Sequence, residues 1–108
     1  MMARANKPMI LPWPRTSQVG AKTITVMQVP NLIGTEGNCG SFCMGDLTIR
    51  IDAGLLPINK TETFIHEDLE AINKIWLSDS LTHEDINRLG EALTQVLGDM
   101  GIEIDWSG

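Results

Sequence analysis

The chain has 108 residues, 43% of them hydrophobic and 20% charged, which is one ordinary globular domain and excludes a disordered tail, a collagen-like repeat or a coiled coil. Its eight Lys and Arg stand against fourteen Asp and Glu, a formal charge of −6, so it lacks the clustered bases that phosphate backbones require and no nucleic-acid partner is expected. No apolar run nears the length of a membrane span, so no membrane partner is expected either.

Residues 1–20 contain Pro8, Pro12 and Pro14 around Trp13 and read as an extended, poorly packed N-terminal arm. The same prolines break the only apolar stretch there, so no export signal is read and a cytoplasmic location is expected. Residues 21–108 read as a single domain. Lys22 to Val29 is rich in β-branched residues, with Ile24, Val26 and Gln28 on one face, and predicts a strand. Residues 31–45 hold Gly34, Gly37, Gly40 and Gly45 and predict a loop. Asp46 to Asp52 alternates Leu47, Ile49 and Ile51 with polar residues, which predicts a strand with one buried and one wet face, paired antiparallel with the first.

Asn59 and Glu62 suit a capping box, so a helix is expected from about Lys60 to Leu77, burying Ile65, Leu69, Ile72 and Trp76. Thr82 and Asp85 suit another, opening a second helix that buries Ile86, Leu89, Leu93, Val96, Leu97 and Met100 and stops near Gly101. The tail Ile102 to Trp106 alternates and reads as a short strand or a strap. The fold class expected is α+β: a small antiparallel sheet packed on two antiparallel helices.

The segment Thr63-Phe64-Ile65-His66-Glu67-Asp68-Leu69-Glu70 carries the chemistry. On a helix, His66 and Glu70 stand one turn apart on one face, where an imidazole and a carboxylate can both reach a divalent cation. Glu67 lies about 100° round the helix, placed to approach a water on such an ion as general base. Asn73 follows on the same stripe and can orient a ligand from behind. The pattern is H-E-x-x-E, in which an anionic Glu stands where zinc proteases carry a second His. A catalytic zinc takes three protein ligands, and His83 is the candidate third; its alternative role is a helix-start residue packed beside Trp76. Cys39 and Cys43 allow a different reading, a structural Cys2His2 site with His66 and His83, or two ordinary thiols.

With these residues in view, the run IRIDAGL, TETFIHEDLEAIN and LTHEDINRLGEALTQVLGDMG resembles the small zincin-like metallopeptidases of phage and prophage genomes. Ile49 and Ile51 match the strand core of that family, Thr63, His66 and Glu67 its helix signature, and Leu89, Leu93, Leu97 and Asp99 its second helix. Glu70, Ala71, Ile72, His83 and Ile86 match members with H-E-x-x-E-A-I and a later L-x-H-x-x-I. The resemblance covers about residues 45–106 and implies a minimal zincin-like fold, one zinc per chain on His66, Glu70 and His83, and Glu67 as base.

Two functions are therefore expected. One is a zinc-dependent hydrolase acting on a peptide, with Asp46–Asp52 as the edge strand that receives it. Against it, the chain has no Tyr to assist at the reacting centre. The other is a non-catalytic acidic binding or inhibitor protein, because residues 60–108 hold eleven acids against three bases. The expected partner is a peptide or protein, with a homodimer as a further arrangement.

Overall fold

The structure, a computed structural model, describes residues 8–108. The elements run β1 (Met9–Pro12), β2 (Thr16–Val19), β3 (Lys22–Val29), α1 (Leu32–Glu36), β4 (Gly40–Cys43), β5 (Thr48–Asp52), α2 (Pro57–Ile75), α3 (His83–Asp99) and β6 (Ile102–Asp105). The fold is α+β, as the sequence predicts. The main sheet has the order β2-β3-β5-β4, and β1 pairs with β6 in a second, two-stranded sheet.

The main sheet is mixed rather than antiparallel. β3 and β5 run parallel, with Val26 opposite Ile49 and Gln28 opposite Ile51. A parallel pair needs a long crossover. Residues 30–47 supply it, and they hold α1 and β4 where only a loop is expected. β4 then folds back antiparallel on β5, with Phe42 opposite Ile49, and forms the edge of the sheet. β5 is an inner strand, so it is not the edge expected to receive a peptide.

Ile24, Ile49 and Ile51 are fully buried beneath α2, against Ala71 and the partly buried Phe64, Ile72 and Ile75. Burial of each isoleucine contributes roughly 1.5–3 kcal/mol. The second face of β5 is wet only at Arg50, which reaches the exposed Asp46, while Thr48 and Asp52 on either side of it are buried. The Asp52 carboxylate accepts from Ile33 N at 2.8 Å and from Gly54 N at 2.7 Å, which holds its pKa below the usual carboxylate value and ties α1 to the end of β5.

The N-terminal arm is extended but not poorly packed. β1 lies parallel to β6, with Met9 opposite Ile102. Trp13 enters the core and stacks on Trp106 with ring centroids 5.8 Å apart, and the Arg15 guanidinium lies over the Trp13 ring, 3.6 Å from its centroid. Trp106 donates from Nε1 to Thr61 Oγ1 at 2.9 Å, which anchors the C-terminal strand to α2. β2 is joined to α2 by Ser17, whose hydroxyl donates to Asp68 Oδ1 at 2.6 Å. The part of the arm that falls on residues 1–7 lies outside the described residues.

The helices depart from expectation at their starts and faces. α2 begins at Pro57 with Leu56 at its N-cap and no side-chain cap, so Asn59 and Glu62 lie inside the helix. Proline suits the first helical position, where its missing N–H costs nothing and its φ is preset. α3 begins as predicted: Thr82 Oγ1 accepts from Asp85 N, and Asp85 Oδ2 accepts from Thr82 N, both at 3.1 Å. Trp76 is not buried. It is 64% exposed and lies beside Gly20 at the tip of the β2–β3 hairpin. α3 runs antiparallel to α2 and buries Ile86, Gly90 and Thr94. Leu89, Leu93, Val96 and Met100, expected inside, are exposed.

Candidate metal centre

His66 and Glu70 project from the middle of α2, one turn apart, into a cleft of about 630 Å³ between α2, the start of α3 and β4. His83 is the first residue of α3, and its position rests on two local devices. The capping box fixes where the helix begins. Asn73, buried in α2, grips the incoming loop: its Nδ2 donates to Leu81 O at 3.1 Å and its Oδ1 accepts from Leu81 N at 3.0 Å. Both polar ends of Asn73 are thereby used on backbone. It does not hold a ligand side chain from behind, as expected, but positions the turn that delivers His83.

The crossing of the helices does the rest. Gly90 of α3 stands against the backbone of His66, where a Cβ would lie 3.7 Å from His66 Cα. This close approach brings the two imidazoles together, with ring centroids 5.2 Å apart and planes at 73°. His83 Nδ1 lies 3.8 Å from Glu70 Oε2. His66, Glu70 and His83 each offer one ligand atom, and these atoms lie within 4.8 Å of one another. Tetrahedral zinc with bonds of about 2.0–2.1 Å sets its ligand atoms roughly 3.4 Å apart. The donor set fits a zinc ion in chemistry, and its ligand atoms stand somewhat wider apart than a bound zinc would hold them.

Among the described residues this is the one group of His, Cys, Asp and Glu with that convergence. Cys39 borders the cleft and both thiols are exposed, but neither joins the group, so the Cys2His2 arrangement is not formed. His83 faces His66 and Glu70 rather than packing beside Trp76.

Electrostatics suit the roles of the donors. Burial pushes the His66 imidazole below its ordinary pKa, with His83 acting in the same direction and Glu70 against it. A neutral imidazole is the form that ligates. Glu67 stands with Oε2 4.0 Å from His66 Nε2, its side chain only 12% exposed. Burial, aided by the Glu70 carboxylate, pushes its pKa up to about 7. A carboxylate poised near neutrality can both accept and return a proton.

The far wall of the cleft was hidden in the glycine-rich segment. Asn38, Gly40 and Ser41 line it opposite Glu67. A Cβ at Gly40 would overlap the Thr63 methyl and stand 2.9 Å from the Arg50 carbonyl oxygen, so β4 can approach α2 only as glycine. The spacing of glycines in residues 34–45 was the available signal. It marks flexibility and close approach alike, and only the partner helix tells which.

No helix among the described residues is long and apolar enough to cross a membrane. No family model matches the sequence, and neither a curated protein nor a solved structure matches it.

Proposed function

We propose that the chain is a small zinc-dependent peptidase of the H-E-x-x-E type, with zinc on His66, Glu70 and His83 and Glu67 as general base. The observation that supports it most is the convergence of three ligating side chains from two helices, with a buried, proton-exchanging carboxylate beside them. When bound, zinc lowers the pKa of a coordinated water and polarises a carbonyl oxygen. Glu67 receives the proton of the attacking water and returns it to the departing amine. Asn73 and the Thr82 cap hold His83 in place through the turn.

The substrate is an extended peptide. β4 is an edge strand and Gly40, Ser41 and Phe42 line the cleft, so its free backbone groups are placed to pair with a chain laid beside α2. With Glu70 given to the metal and Glu67 to the proton, Glu62 is the remaining charged residue of the lining, which has no Lys or Arg, and it favours a peptide with a basic side chain near the scissile bond.

Element analysis after purification without chelator tests the reading. One zinc per chain is expected, lost in His66→Ala and Glu70→Ala. Glu67→Gln should keep the metal and lose cleavage of a basic peptide library by a factor of at least about 10². A metal-free chain whose melting ignores both zinc and chelator removes the peptidase and leaves an acidic binding protein.

A further inference from the structure

The α2–α3 pair has a second face that the cleft does not use. On α3, Leu89, Leu93, Val96 and Met100 recur at steps of four, three and four. All four are exposed, Val96 by 50% and Met100 by 63%. On α2, Ile65, Leu69, Ile72 and Trp76 recur at the same steps. Ile65, Leu69 and Ile72 share one open groove of about 260 Å³ with Leu93, Val96 and Leu97. The four–three step is the seam of a helical bundle, where apolar side chains of one helix seat between those of another. Two such seams, adjacent on an antiparallel pair, are half of a four-helix bundle.

We propose that this face is a homodimer interface, in which two copies join their α2–α3 pairs across a two-fold axis into a four-helix bundle. Area supports a second copy. On α3 alone, the exposed Leu89, Leu93, Val96 and Met100 present roughly 350–400 Å² of apolar surface. A standard interface buries about 800 Å² per partner, and homodimers make about two thirds of it apolar. The α3 row supplies most of that apolar part, and the partly exposed Ile65, Leu69, Ile72 and Leu97 of the groove add to it. A two-fold interface is also self-complementary, and matching seams on both helices satisfy that condition without a second sequence. Charge agrees. Asp68 is the one ionisable residue lining the groove, and its carboxylate is already bonded to Ser17 of its own chain, so a facing copy need not supply a cation. The cleft opens elsewhere, around His66 and His83, and stays accessible in the dimer.

Sedimentation of the full chain under reducing conditions tests this. At about 100 µM, well above a micromolar dissociation constant, a species of twice the 11.9 kDa chain mass is expected. Leu93→Glu and Val96→Glu should each weaken association at least about thirtyfold while far-ultraviolet circular dichroism still reports a folded chain, because both side chains are about half exposed in the single copy and a carboxylate there can reach water. A chain of single mass at that concentration overturns the proposal, as does a dimer indifferent to both substitutions. Should either variant unfold, Leu93→Cys and Val96→Cys in a Cys39→Ser/Cys43→Ser background decide. Disulfide-linked dimers forming at these positions faster than at an exposed control, Glu36→Cys, support the bundle, and equal or absent linkage overturns it. A single-mass chain that instead takes up a basic amphipathic peptide on this face also overturns the second copy as occupant.

Discussion

The two faces of the α2–α3 pair depart from ordinary packing in opposite directions. On the cleft side, Glu67 and His66 are largely withdrawn from water, with burial raising the pKa of one and lowering that of the other. On the groove side, Leu89, Leu93, Val96 and Met100 stand in water. A helix pair selected only for stability would exchange them. Buried ionisable groups cost free energy unless something neutralises them, and exposed apolar rows forgo burial unless something covers them. The pair therefore gives up stability on both sides, and the two proposals offset it differently: a cation in the cleft, a second hydrophobic surface over the groove.

The largest expected effect comes from supplying the cation. At a zinc concentration a hundredfold above its dissociation constant, stability should rise by about 2.7 kcal/mol, which is on the order of 10 °C in melting temperature for a domain of this size. Differential scanning calorimetry with and without chelator measures it. His66→Ala should abolish the rise, and a rise that survives that change would place the metal outside the cleft.

The second test removes the buried charge instead of neutralising it. Glu67 has a folded-state pKa of about 7 against 4.5 for the free side chain. The folded chain therefore holds a proton that the unfolded chain loses first. The stability this provides is fully present below pH 4.5 and is lost as pH rises through 7. Glu67→Gln keeps the shape and never loses that proton. In metal-free protein it should be more stable than the parent by about 2–3 kcal/mol at pH 8 and equal to it at pH 4. Urea unfolding at the two pH values reads the difference, and an equal gain at both would assign it to packing.

A buried polar group with no place in the cleft should behave in the contrary way. Thr61 is buried and its hydroxyl accepts from the Trp106 indole. Thr61→Val keeps the volume and leaves that indole N–H without an acceptor, at a cost of about 1–2 kcal/mol at every pH. Glu67→Gln and Thr61→Val thus change stability with opposite sign, although both remove polarity from the interior of the same helix.

Much of this was legible in the chain, and the failures share a cause. Periodicity located β3, β5 and both helices, and the Thr82–Asp85 box marked the start of α3 to the residue. His66 and Glu70 could be named because helical spacing is local; His83, the only other histidine, was a candidate through the family resemblance, and the helix crossing that brings it near them is not written in the sequence. Long-range pairing was not legible. Nothing within residues 9–12 indicates that β6, some ninety residues later, completes their hydrogen bonding. The parallel pairing of β3 and β5 depended on a crossover whose α1 and β4 are shorter than any periodic signal. The apolar stripe of α3 reads as a buried face because periodicity reports that a face is apolar, not what covers it. Its buried side is Ile86, Gly90 and Thr94, of which Gly90 lets the helix come close to the backbone of His66.

The smallest predicted effect tests that approach directly. Glycine inside a helix is less stable than alanine by about 0.8–1.0 kcal/mol, so Gly90 needs a reason to be there. The added methyl of Gly90→Ala would meet His66 Cα, Cβ and N at 3.7–3.8 Å, ordinary contact distances. Alanine should therefore be accepted and stabilise the chain by about 0.5–1 kcal/mol, with zinc affinity unchanged within a factor of about 3. A larger residue cannot be accommodated without parting the helices. Gly90→Val should lift α3 from His66, carry His83 away from Glu70, and weaken zinc binding at least about tenfold. If both variants bind zinc like the parent, the crossing at Gly90 does not set the spacing of the donors. If alanine alone already loses the metal, the tolerance of the site is tighter than van der Waals contact requires.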